Sequence, residues 1–289
     1  MFQTKRYFVL IVVFLTVSIA CTGGEMAEKT AQLPSIEEIP AFSWNKLSKK
    51  KICFGHQSVG ANIIEGIKEL MQKNPQIHLE IVQRCGLGEA SNLADSEDSG
   101  FFPFRVGKNM DPGSKIEDFA RFMEKGVVKS PDIALFKFCY VDITAKTDVE
   151  EVFNRYKRTM SDMKKAFPKT TFVHVTVPLT SKPMGIKGWI KKAKDIVKKI
   201  IGRPVFNYYD NISRNKFNEM LREEYGSRAP VFDLAKIEST FPYGRRSTFT
   251  EDRSTYYSLV PDYTYDGGHL NELGRKRAAE RLLIFLAHL

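Results

Sequence analysis

Cysteine is scarce in this chain, four in 289 residues, and no two form a CxxC pair, which removes dithiol and thiolate–metal motifs. HExxH, HxxxH and carboxylate pairs at ligand spacing are also missing, so no catalytic metal is expected. There is no glycine-rich phosphate loop, and no other cofactor is implied. Internal repeats and low-complexity tracts do not occur. The longest uncharged apolar run, Tyr7 to Ala20, is too short for a comfortable membrane span.

What is present describes a globular protein: 43% hydrophobic residues and 27% charged. The net charge is +10, with Lys5 and Arg6 preceding the apolar run as the n-region of an export signal. The run ends in Ser18-Ile19-Ala20-Cys21, which resembles a bacterial lipoprotein processing box. This predicts a signal peptide over 1–20, a lipid-bearing Cys21 opening a tether over 21–48, and a domain over 49–289. The expected location is a bacterial cell envelope, as an exported, membrane-anchored lipoprotein; a simple secretory signal cut near Ala20 is the other reading. Much of the positive charge lies in residues 185–203, where six lysines flank an apolar helical face around Trp189. Such a helix can pack on a sheet or lie on an anionic membrane. Nucleic acid is not an expected partner, because no recognised module accompanies the lysines.

Short β-like runs then alternate with helical patterns. Strands are predicted at Lys51–Phe54, Leu79–Gln83, Ile133–Phe138, Phe172–Val177 and Val231–Leu234. Helices are predicted at 59–73, 114–128, 148–166, 186–201, 211–225 and 271–288. This alternation implies an α/β fold with a parallel sheet and helices on both faces. Two long loops, 89–113 and 235–268, follow predicted strands, and ligands bind at the carboxyl ends of strands in such sheets.

Two short stretches carry chemistry. In FGHQSVGAN, Ser58 stands where the first strand becomes a helix, as an N-cap or turn residue or as a nucleophile activated by a base. In YDGGHLNELG, Asp266 and His269 are separated by two glycines, which let a carboxylate turn onto imidazole Nδ1 and leave Nε2 free for a hydroxyl. Asn271 would cap the helix that follows. Together the two ends resemble the SGNH (GDSL-like) hydrolase family, in which a GDS-type block carries the serine and a DxxH block the acid and base. QRCGLGEASNL is similar to the family's second block, which assigns an oxyanion role to Gly88 beside Ser58. LFKFCYVDI is similar to the third block, but Cys139 replaces its glycine and Val141 its asparagine, leaving Asp142. His56 replaces the aspartate of GDS.

The resemblance implies a three-layer α/β/α sandwich with a mostly parallel, flavodoxin-like five-stranded sheet. It also implies a serine esterase in which Ser58 attacks, His269 is the base and Asp266 orients it. His56, Asn62, Tyr140 and Asp142 become active-site neighbours, with Asn62 or Tyr140 available to replace the missing donor. The expected substrate is an acylated small molecule or polysaccharide carrying short O-acyl groups. An O-acyltransferase with the same triad and a binding lipoprotein with decayed chemistry are the alternatives. Neighbouring strand ends would also bring Cys85 and Cys139 close enough for a disulfide.

Overall fold

A computed structural model describes residues 34–82, 99–182 and 208–289. Five parallel strands form the sheet: β1 (Lys51–His56), β2 (Gly100–Arg105), β3 (Ile133–Phe136), β4 (Thr171–Val175) and β5 (Val231–Phe232). Their spatial order, β2-β1-β3-β4-β5, is the doubly wound order expected of a flavodoxin-like sheet. β1 and β3 are continuous apolar runs because both of their faces are covered.

Alternate residues of each strand enter two cores. Ile52, Phe54 and Leu135 pack with α1 (Ala41–Ser48), α2 (Ser58–Lys73) and the last helix, Glu272–Ala287. Cys53, Ala134 and Phe136 pack on the other face with α3 (Pro112–Glu124), α4 (Val149–Ala166) and α5 (Asn211–Tyr225). The helices bury residues at three- and four-residue spacing, as in Val149, Phe153, Tyr156, Met160 and Met163 of α4. Asp148 caps that helix by accepting from the Glu151 N–H at 3.0 Å, and Asp111 caps α3 the same way through Ser114. A short α6 (Leu234–Glu238) and a hairpin of β6 (Thr248–Glu251) and β7 (Ser254–Tyr257) precede the last helix, here α7. Gly66 lets α2 and α7 touch: a Cβ there would stand 2.5 Å from the Arg275 carbonyl and 2.8 Å from the Ala279 methyl.

Three sequence expectations need correction. The run at 79–83 is not the second strand; over its described part Ile81 makes a single bridge to Phe101. The strand is GFFPFR, 100–105, inside the segment read as a loop. Pro103 cannot donate to a ladder on both sides, but β2 is the outermost full strand, where a missing N–H is tolerated. The tether does not extend to 48. Trp44 and Leu47 of α1 are 2% and 3% exposed and belong to the core, and Ile36 joins them. The loop at 235–268 folds instead as α6 and the β6–β7 hairpin. The signal peptide, Cys21 and the basic helix 185–203 lie outside the described residues. No helix among the described residues is long and apolar enough to cross a membrane.

Candidate active site

β1 ends at His56 and α2 begins at Ser58, so the chain reverses within Gln57. The Gln57 side chain fixes this elbow: Nε2 donates to the Val106 and Gly107 carbonyls at 2.7 and 2.8 Å, and Oε1 accepts from Arg105 at 3.1 Å. No side chain caps α2, which leaves the first-turn N–H groups beside Ser58 open to a negative charge. The loop before α7 brings the second half. Asp266 Oδ1 accepts the N–H of Gly268 at 2.9 Å and of His269 at 2.8 Å, while Oδ2 meets His269 Nδ1 at 2.6 Å. Gly267 has φ +96°, a conformation costly for any residue with a Cβ. Gly268 lies against the Tyr140 ring, where a Cβ would meet ring carbons at 2.5 and 2.7 Å.

These two loops meet: His269 Nε2 is 3.0 Å from Ser58 Oγ. Burial alone would raise the Asp266 carboxyl, but hydrogen bonds from the His269 ring and the Gly268 and His269 N–H groups bring it down to about 2. Asp266 is therefore a carboxylate at any ordinary pH. It holds the imidazole proton on Nδ1, so Nε2 presents a lone pair to the serine hydroxyl. Tyr265 lies nearly parallel to the His269 ring, with centroids 6.0 Å apart, and Tyr140 approaches it edge-on at 5.6 Å.

A family model described as GDSL-like Lipase/Acylhydrolase matches residues 18–282. The chain belongs to the GDSL-like lipase/acylhydrolase family. None of the curated proteins matches the sequence. Several solved structures are similar to it. A protein described as a platelet activating factor from Streptococcus pneumonia has a TM-score of 0.46 at 14% identity, covering 86% of this chain and 92% of that one. A GDSL-like lipase from Bacteroides thetaiotaomicron has a TM-score of 0.43 at 13% identity, covering 84% and 94%. The periplasmic domain of a lipopolysaccharide acetyltransferase from Salmonella ser. Paratyphi A has a TM-score of 0.40 at 12% identity, covering 84% and 86%.

The other residues named from the family blocks have different surroundings. His56 is buried, stacks on Phe54 with ring centroids 5.4 Å apart, and places Nδ1 2.9 Å from the Gln57 carbonyl. Burial brings its imidazole down to about 4, so it is a neutral donor to the elbow. Asn62 Oδ1 accepts the Leu270 N–H at 3.2 Å, which ties α2 to the loop bearing His269. Asp142 turns inward rather than into the site: it accepts from Lys115 Nζ at 2.5 Å, Cys139 N at 2.6 Å and Met110 N at 2.9 Å. Tyr140 reaches the site, with its hydroxyl 3.4 Å from His269 Nδ1. Gly88 and Cys85 lie outside the described residues, and so does the pairing of Cys85 with Cys139; Cys139 itself is buried. Among the described residues, no group of three or more His, Cys, Asp or Glu could hold a metal ion.

Sequence reasoning missed the residue that joins the site's loops. Arg214 of α5 is fully buried. Its Nε donates to the carbonyls of Tyr140 at 2.8 Å and Ile143 at 3.0 Å, and its Nη1 to Thr180 Oγ1 and Asn211 Oδ1 at 2.8 and 2.7 Å. Ser181, next in chain, donates its N–H to Gly267 O at 2.9 Å. Burial lowers the Arg214 guanidinium to about 10, so it remains charged at neutral pH. An arginine on an amphipathic helix reads as solvated in sequence, and only the packing shows otherwise. Glu238 supports the same loop from α6 by accepting the Leu179 N–H. Burial raises its carboxyl to about 8 from an ordinary value of 4.5. A raised carboxyl contributes stability that is complete below pH 4.5 and is lost as pH rises through 8. Glu238→Gln keeps the acceptor without the charge. It is therefore expected to gain stability over the parent protein between pH 5 and 8 in urea melts, and a pH-independent difference would contradict this.

Proposed function

We propose that this family member is a serine esterase in which Ser58, His269 and Asp266 form the catalytic triad. The observation that carries this reading is the chain of hydrogen bonds, Ser58 Oγ to His269 Nε2 at 3.0 Å and His269 Nδ1 to Asp266 at 2.6 Å. Ser58 Oγ attacks the ester carbonyl while Nε2 takes its proton. The imidazolium that forms is stabilised by Asp266, and the carbonyl oxygen acquires a negative charge beside the uncapped first turn of α2. The Ser58 N–H and the second-block Gly88 are the proposed donors to that oxyanion. His269 then returns the proton to the departing alcohol, and water, activated by the same imidazole, releases the acid and restores Ser58.

Acylhydrolase membership implies an acylated small-molecule substrate. Within that class the proposal is a short O-acyl ester carried on a cell-envelope or environmental polysaccharide. Tyr265 supports it: the ring is 69% exposed and lies flat beside the imidazole that protonates the departing alcohol. Export, with a lipid on Cys21, is part of the same proposal and rests on the leader. The direct test is incubation with p-nitrophenyl acetate, followed by fluorophosphonate labelling and peptide mass spectrometry. Turnover, with one phosphonate on the Ser58 peptide that blocks it, is the expected result. A label elsewhere, or turnover that survives full labelling of Ser58, would overturn the assignment.

A further inference from the structure

We propose that the protein has a second small-molecule site at the opposite end of the sheet from Ser58, and that it takes an organic monocarboxylate with an apolar body. A cavity of about 470 Å³ opens there between α4, α5 and the amino ends of β4 and β5. That volume lies within the range of sites for small ligands. Met160, Phe172, His174 and Tyr225 form its apolar lining.

One side chain in this wall, His174, offers the cavity a hydrogen-bond donor. His174 is 3% exposed, and the Tyr225 ring lies flat on it at a centroid distance of 3.5 Å. Tyr156 Oη is 2.7 Å from His174 Nδ1. Burial raises the Tyr156 hydroxyl well above its ordinary range and brings the imidazole down to about 3, so both are neutral. The tyrosine has no other acceptor among the described residues and donates to Nδ1. The ring proton of His174 therefore sits on Nε2, which has no acceptor among the described residues. His174 Nε2 is not among the fully enclosed side-chain atoms that lack a partner, so it is reached from the cavity, where a ligand oxygen can accept its proton in place of water.

The charges around the opening specify the sign of that ligand. Lys157, Lys164, Lys165 and Arg228 face one lining carboxylate, Glu224. Lys157 and Arg228 share Glu224, at 2.6 and 3.3 Å, and Lys165 pairs with Asp162 at 3.2 Å. Lys164 donates only to the carbonyls of Pro168 and Thr170, at 3.3 and 3.0 Å, and has no carboxylate partner among the described residues. One unneutralised ammonium and one N–H donor suit a singly charged head, and the apolar lining suits an alkyl or aryl body.

Calorimetric titration with octanoate tests this, with octanol as the uncharged control. One site is expected in the parent protein and equally in Ser58→Ala, which separates it from the proposed catalytic centre. Lys164→Glu, an exposed change that spares the fold, is expected to weaken octanoate at least tenfold, and His174→Phe to do the same. If His174→Phe fails to fold, Lys164→Glu decides alone. The site is disproved if octanoate does not bind, if octanol binds as well, if Ser58→Ala abolishes binding, or if Lys164→Glu leaves the affinity unchanged.

Discussion

Ser58→Ala is expected to lower kcat for p-nitrophenyl acetate by about four orders of magnitude or more, with KM little changed. The hydroxyl is expected to account for nearly the whole effect because, in the proposed mechanism, it is the atom that bonds to the acyl carbon, while the proposed oxyanion donors stay in place. His269→Ala is expected to cost a similar factor, since without Nε2 the serine keeps its proton. The double variant should be scarcely worse than either single one, because a nucleophile and its base act as one unit. Stopped assays at matched folded concentration, checked by circular dichroism, measure all three. If Ser58→Ala keeps a tenth of the parent activity, or if the two losses multiply in the double variant, the hydrogen-bond chain is not the route of catalysis.

The second large effect is on stability. Lys115 and Asp142 form an ion pair at 2.5 Å with both side chains fully buried, and Asp142 also accepts two backbone N–H groups. Removing one partner from a buried pair strands the other charge and typically costs about 3–5 kcal/mol. Asp142→Ala is therefore expected to lose that much in urea unfolding, since it leaves the ammonium with Asn109 Oδ1, at 3.0 Å, as its one remaining hydrogen-bond acceptor among the described residues. The paired change Lys115→Met with Asp142→Leu should recover much of the loss by removing both charges together. A loss under about 1 kcal/mol for Asp142→Ala would mean that Lys115 finds water or another partner. Activity per folded molecule separates this supporting role from a catalytic one, and it is expected to change far less than stability.

Several features were legible in the sequence because they depend on neighbours in the chain. Apolar periodicity located α2, α4, α5 and α7 to within a residue or two, since a buried helical face repeats every three to four residues. The buried runs at 51–54 and 133–138 likewise gave β1 and β3. β2 was missed because Pro103 normally argues against a strand, and only its place outside β1 in the sheet makes it tolerable. α1 was missed because Trp44 and Leu47 are two apolar residues in a polar stretch until the sheet supplies something to bury them against.

The candidate site divides the same way. Ser58, Asp266 and His269 were recognisable from short motifs, because a strand-to-helix elbow and a glycine-flanked carboxylate have local chemical signatures. Their meeting across 211 positions depends on α2 packing against α7 at Gly66 and on Asn62 holding the Leu270 N–H. Asp142 was placed in the site by its motif, yet the fold turns it to Lys115, and Arg214 joins the site's loops without any motif at all. Sequence by itself determined which groups can do chemistry, since reactivity begins with side-chain type and local backbone. The tertiary structure decided which of them are neighbours and which are charged, because distance and burial are set by packing between elements far apart in the chain.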